Sequence, residues 1–221
     1  MSRRTQLILF DLDGTVIDSA PDLAAAANAM RVDRGLDPLP LAALRPMVGA
    51  GARGMVGLAF DVAPGDARFG SLRVEFLERY EAALLVHTAV FAEVTPVLDW
   101  LDKAGFRWGI VTNKAARFTQ PVVEGLRLQS RAAVVISGDT TPHAKPHPAP
   151  LLEAARRAGT DPALCAYVGD DHRDMIAGRA AGMSTLAAAW GYLGRGEPIE
   201  AWGAHAVLPE PAALLQWLEL P

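Results

Sequence analysis

The sequence predicts an α/β fold with a mainly parallel sheet, and three observations carry that prediction. Short apolar runs recur along the chain and end abruptly in polar clusters. Segments of helical spacing lie between those runs. One long stretch after the first run is helical in character and holds no strong strand. Buried strands alternating with helices predict a sheet covered on both faces, with reactive groups beyond the carboxyl ends of its strands.

The first run, Leu7-Ile8-Leu9-Phe10, is apolar on successive residues and stops at charge and glycine, as a fully buried strand opening into a loop does. From about residue 22 to 86 the spacing is helical, clearest over 21–34 and 69–85. Gly35, Pro38, Pro40, Pro64 and Gly65 punctuate these helices. Residues 106–111 then form a strand ending at Thr112-Asn113-Lys114, and 132–136 form one ending at Ser137-Gly138-Asp139. Residues 164–168 end at Gly169-Asp170-Asp171, 184–189 end near Trp190-Gly191, and 204–208 form a weaker strand before Pro209. Helices are expected between them, over 94–104, 150–159 and 174–182.

Composition narrows the class. At 221 residues, 51% hydrophobic and 21% charged, the chain is long and apolar enough for a substantial core. A net charge of −4 gives no general attraction to nucleic acid or anionic membranes. The apolar run before Asp11 is too short for a signal peptide, and no stretch approaches the roughly 20 apolar residues of a membrane span. Cys165, the only cysteine, rules out an intrachain disulfide and suits a cytoplasmic location.

The chemistry-bearing residues cluster at predicted strand ends. Asp11 and Asp13 are one residue apart, so on extended backbone their side chains emerge on one side. Carboxylates that close repel unless a cation, a proton or hydrogen-bond donors intervene, and a hard divalent cation such as magnesium is a natural partner. Gly14 permits a sharp turn and Thr15 supplies a local hydroxyl. The plainer reading is a turn whose aspartates cap a helix. Asp170, Asp171 and Asp174 follow another buried strand; Asp174 suits a helix start, while the three acids together suit a cation site. Thr112 and Lys145 supply the hydroxyl and ammonium that a transferring phosphoryl group needs on its oxygens. Pro146 and Pro148, which follow Lys145, stiffen its segment, although a surface lysine in such a loop is the ordinary alternative. Asn113 and Lys114 read as loop and neighbouring-pocket residues.

These four clusters, in this order, resemble the motifs of the haloacid dehalogenase superfamily of phosphohydrolases over essentially the whole chain. Asp11-Leu12-Asp13-Gly14-Thr15 is similar to its first motif, Thr112 to its second, Lys145 to its third, and Gly169-Asp170 through Asp174 to its fourth. The resemblance implies a Rossmann-like α/β core, residues 1–17 and 89–221, with a small α-helical cap domain, residues 18–88, inserted after the first strand. Residues 11–19 and 111–114 look most like phosphoglycolate phosphatases. Residues 51–53, 76–80 and 168–171 are similar to bacterial N-acetylmuramic acid 6-phosphate phosphatases. Asp171 stands where many of these relatives carry Ser or Thr.

By that resemblance Asp11 attacks phosphorus and forms an aspartyl-phosphate, and Asp13 protonates the leaving alcohol and then activates water. Mg2+ is held by the Asp11 and Asp170 carboxylates and the Asp13 backbone carbonyl, with Asp174 supporting it. Thr112, Lys145 and Asn113 bind the substrate. The implied partner is a small phosphorylated metabolite, and the chain is a monomer or homodimer. Asp13 argues against dehalogenation, because a halide needs no proton. Phosphomutases share the core residues and stay an alternative. A catalytically silent phospho-ligand-binding protein has no need of Asp11, Asp13 and Asp170 together.

Gly49-Ala50-Gly51-Ala52-Arg53-Gly54 matches a dinucleotide-binding fingerprint, but Pro46 spoils the strand that must precede one. It reads instead as a turn presenting Arg53 to an anionic substrate, or as a plain helix-helix turn. His87, His143, His147, His172 and His205 are scattered without metal-ligand spacing. Cys165 and the five tryptophans read as core and packing residues.

Overall fold

The computed structural model describes residues 5–219. After β1 (Leu7–Phe10) comes a short strand, β2 (Ile17–Asp18). Four helices follow: α1 (Ala20–Val32), α2 (Leu41–Leu44), α3 (Gly51–Phe60) and α4 (Phe69–Glu81), with a 3-10 turn over Arg45–Ala50. Then β3 (Ala89–Val90) pairs antiparallel with β2. The remainder alternates α5 (Thr95–Lys103), β4 (Arg107–Val111), α6 (Ala116–Gly125), β5 (Val135–Ile136) and α7 (Ala149–Ala158). It continues with β6 (Cys165–Gly169), α8 (His172–Ala180), β7 (Ser184–Ala188), β8 (Ala206–Leu208) and α9 (Ala213–Glu219).

Six strands form one sheet in the order β5-β4-β1-β6-β7-β8, every neighbouring pair parallel. β1 is central because it can be: all four of its residues are buried, and both faces of the sheet are covered. Leu7 and Leu9 face Val111, Tyr167 and the apolar side of α7; Ile8 and Phe10 face the other layer with Trp108, Ile110 and Val168. Phe10 is opposite Ile110 on one side and Val168 on the other. Carrying that register forward brings Asp11, Thr112 and Asp170 out at three adjacent strand ends. The strand order reverses at β1, which opens a crevice there.

One expectation shifts, and one helix was not expected. The strand expected over 132–136 is confined to β5, because Ala132 is drawn into the preceding turn by a bond to the Leu128 carbonyl. Helix α6 had no clear sequence signal because Pro121 sits inside it; buried Phe118, Thr119, Val122 and Val123 hold it through tertiary contacts instead.

The helical insert has its own apolar interior, with Met30, Val56, Met55, Leu72, Phe76 and Tyr80 buried. Its neck is fastened by the β2–β3 pair and by Asp22, whose buried carboxylate accepts the His87 and Thr88 N–H groups and the Thr88 hydroxyl. Arg45 makes a two-pronged pair with Asp18, at 2.9 and 2.8 Å.

Candidate active site

The crevice at the β1 switch point is a cavity of about 270 Å³. Its floor holds Asp11, Asp13, Thr112, Lys145, Asp170 and Asp174; α4 and the 3-10 turn supply its roof. Asp11 leaves the end of β1, where its N–H bonds to the Val168 carbonyl. Its Oδ1 accepts the Leu12 N–H at 2.7 Å and lies 2.9 Å from the Lys145 ammonium. Asp11 Oδ2 carries no hydrogen bond among the described residues.

Asp170 is seated by close approach of backbone. Gly14, at φ +87°, turns the chain so tightly that a Cβ there would fall 2.2 Å from Asp170 Oδ2, and one on Gly191 would fall 2.1 Å from Asp170 Cβ. The Asp170 carboxylate accepts the Thr15 hydroxyl and the Tyr192 N–H, both at 2.8 Å. Asp174, at the start of α8, accepts the Asp171 N–H, while Asp171 accepts the Arg173 N–H, a capping box. The capping reading of this cluster therefore finds its geometry through Asp174 Oδ2, while Oδ1 faces Lys145 and the Tyr167 hydroxyl.

Lys145 is buried among these acids. Its ammonium lies 2.9 Å from Asp11 Oδ1 and 2.8 Å from Asp174 Oδ1, and it donates to the Tyr167 hydroxyl and the Val111 carbonyl. Burial works against its charge, but Asp11 and Asp174 outweigh burial and hold its pKa above the ordinary lysine value.

Carboxylate oxygens of Asp11, Asp170 and Asp174 all lie within 4.8 Å of one another. Burial and mutual repulsion push Asp11 up to about 7 despite Lys145, and push Asp170 well above the usual carboxylate range. Three acids face one ammonium, so the pocket is short of positive charge. An all-oxygen donor set lacking a cation's worth of charge fits a hard divalent metal.

Asp13 stands apart from that acidic cluster. Its side chain accepts the Ser19 hydroxyl and lies 3.0 and 3.2 Å from the Lys114 ammonium, which itself sits 4.7 Å above the Tyr80 ring centre. Thr112 is buried beside Asp11, and its hydroxyl accepts the Lys114 N–H. Asn113 uses both ends of its amide on the Lys145 backbone, at 2.9 Å each, so its side chain is committed to holding the lysine.

Arg53 is not at this cavity. It is exposed on α3 and lines a separate cleft with Met47, His172 and Arg173, because the turn at Gly51 brings Gly51 and Ala52 to the active cavity and rotates Arg53 away. The insert contributes Arg73, Phe76, Leu77 and Tyr80 from α4 instead. Their 3–4 spacing was visible as a helix face, but only the fold says which face meets the site. Lys114, expected as a loop and neighbouring-pocket residue, lines this cavity; the polar strand end signals its neighbourhood, but not its reach to Asp13. The histidines are not all scattered: the rings of His143 and His147 lie 4.5 Å apart in the loop before α7. Asp171 binds Arg173 through two prongs, and Arg173 reaches on to the Gly49 carbonyl, joining the α8 start to the insert.

Residues 8–188 match the family model of haloacid dehalogenase-like hydrolases. The chain belongs to that family. A phosphoglycolate phosphatase of Xanthomonas campestris pv. campestris is 48% identical over 213 residues, 96% of each chain. An N-acetylmuramic acid 6-phosphate phosphatase of Pseudomonas putida is 40% identical over 211 residues, 96% of this chain and 95% of that one. The crystal structure of a predicted phosphoglycolate phosphatase from Haemophilus somnus superimposes with a TM-score of 0.85 at 26% identity, covering 99% of this chain and 100% of that one. With such relatives, the chain is a phosphoric monoester hydrolase of the haloacid dehalogenase-like family. No described helix is long and apolar enough to cross a membrane.

Proposed function

We propose that this hydrolase acts on a small phosphomonoester of the phosphoglycolate type, passing the phosphoryl group through Asp11. The observation that carries the reading is Asp11 itself. Its Oδ1 is held by two donors, which leaves Oδ2 to attack phosphorus while the ester P–O bond breaks. Asp13 gives its proton to the departing alkoxide, then takes one from the water that attacks the aspartyl-phosphate, releasing inorganic phosphate. The Thr112 hydroxyl and the Lys145 ammonium neutralise the phosphoryl oxygens, and Asn113 keeps Lys145 in register. Asp11, Asp170 and the Asp13 carbonyl, steadied by Asp174, would hold Mg2+. Bound there, it offsets the repulsion between the nucleophilic carboxylate and the phosphate dianion.

Residues 18–88 act as a cap over a core of residues 1–17 and 89–221, a division supported by the β2–β3 neck. The cavity, about 270 Å³, lies just below the usual range of ligand sites, roughly 300 to 1,000 Å³, and this favours a compact substrate. The Pseudomonas putida relative supports a second reading, an amino-sugar acid phosphate. Phosphate release with Mg2+ from phosphoglycolate, N-acetylmuramic acid 6-phosphate, hexose phosphates and nucleoside monophosphates tests both. The highest kcat/KM on phosphoglycolate is expected; no release from any of them sinks the reading.

A further inference from the structure

Two residues of the cavity wall, Asp171 and Arg173, have no task in the phosphoryl chemistry. They stand on either side of His172 at the start of α8. Asp171 caps that helix, its Oδ1 accepting the Arg173 N–H at 2.9 Å. A serine or threonine hydroxyl caps a helix as well, so capping alone leaves the second carboxylate oxygen without a role. Both oxygens take the Arg173 guanidinium in a two-pronged pair, at 2.7 and 2.8 Å. The pair fixes where the guanidinium points and leaves it N–H groups for a further partner.

That partner is the carbonyl of Gly49, 124 residues away in the 3-10 turn of the insert. The turn and the start of α3 give Val48, Gly49, Gly51 and Ala52 to the cavity wall. Approach there is close: a Cβ on Gly49 would fall 3.0 Å from Asp171 Oδ2 and 3.7 Å from Arg173 Nη2. Among the described residues no other side chain of the core hydrogen-bonds to residues 48–52. Arg195 reaches the neighbouring stretch only at the Ala43 carbonyl, through an exposed bond of 3.3 Å. The position of this part of the roof therefore depends on one guanidinium.

We propose that Arg173, aimed by Asp171, is a positioning residue for phosphoryl transfer, tying the 48–52 turn of the insert over the cavity through the Gly49 carbonyl. With the turn tied, the wall beside the phosphoryl site is fixed and bulk water is kept from it, which strengthens the charge interactions inside. The role rests on the phosphatase reading and adds to it which core residue holds the roof in place.

The test compares the full-length wild type with Arg173→Gln, Asp171→Ser and the double variant, which keeps a helix cap and leaves the net charge unchanged. Amide hydrogen exchange with Mg2+ and no substrate is followed over residues 47–53 and over α8, alongside kcat/KM on the best phosphomonoester. Arg173→Gln is expected to speed exchange over 47–53 about 5- to 20-fold and to lower kcat/KM by a similar factor, with α8 and Tm little changed. Asp171→Ser is expected to move both readouts the same way, and the double variant to be no worse than Arg173→Gln, because Asp171 acts through the arginine. Lost activity with unchanged exchange over 47–53 would make Arg173 a substrate contact and overturn the proposal. Exchange that rises throughout α8 with a lowered Tm would make its role merely structural and overturn it too. A wild type that releases no phosphate from any ester fails the phosphatase reading instead, and the exchange comparison, which needs no turnover, still decides the tie.

Discussion

Asn113 decides whether the loop after β4 touches substrate or only positions Lys145, and Asn113→Ala separates the two. The side chain gives one hydrogen bond to the Lys145 carbonyl and takes one from its N–H, each 2.9 Å. Because the residue is solvent-exposed, each bond falls at the lower end of the usual range, about 0.5–1 kcal/mol, and the pair contributes about 1–2 kcal/mol. For a chain of this length that corresponds to a fall in Tm of roughly 2–8 °C by calorimetry or circular dichroism. A loosened Lys145 no longer fixes Asp11 Oδ1, so kcat should fall about tenfold or more while KM changes little. An unchanged Tm together with a raised KM and preserved kcat would refute the reasoning and make Asn113 a substrate contact.

Two further outcomes follow from the acidic cluster. Asp11 and Asp170 bind protons more tightly folded than unfolded, so without metal the fold loses stability as pH climbs from the ordinary carboxylate range, near 4, through about 7. Mg2+ relieves that repulsion, so the gain in Tm on adding it should be small at pH 5 and larger at pH 8; equal gains at both would contradict the assignment. Gly14→Ala forces a Cβ against Asp170 Oδ2 and Tyr192 at positive φ. It should cost at least about 1–2 kcal/mol and most of the metal-dependent stabilisation, and an unperturbed metal titration would count against it.

Much of this site was legible because its residues sit where sheet geometry puts them. A four-residue apolar strand bounded by Asp11, and the polar ends at Thr112 and Asp170, fix their neighbourhood once the sheet is parallel and β1 is central. What was not legible depends on how one helical element rests on another. The choice between Arg53 on α3 and Arg73 on α4 turns on the rotation of each helix over the cavity, which periodicity within a helix does not encode. Asn113 carries an amide able to bind a substrate, but both its ends are spent on the backbone of Lys145, a partner 32 residues away that local sequence does not reveal. Helix α6 was hidden by Pro121, whose local cost is offset by the buried face around Val122. Asp171, the departure from the Ser or Thr of many relatives, acts here as a cap and an anchor for Arg173.

The central claim is that phosphorus is bonded to Asp11 during turnover. Rapid acid quench of the enzyme turning over its best substrate, followed by borohydride reduction, converts an aspartyl-phosphate to homoserine that peptide mass spectrometry can locate. Homoserine at position 11, absent from Asp11→Asn, which keeps the wild-type circular dichroism but releases no phosphate, is the predicted result. Phosphate release that persists in Asp11→Asn, or homoserine at another aspartate, would contradict the account.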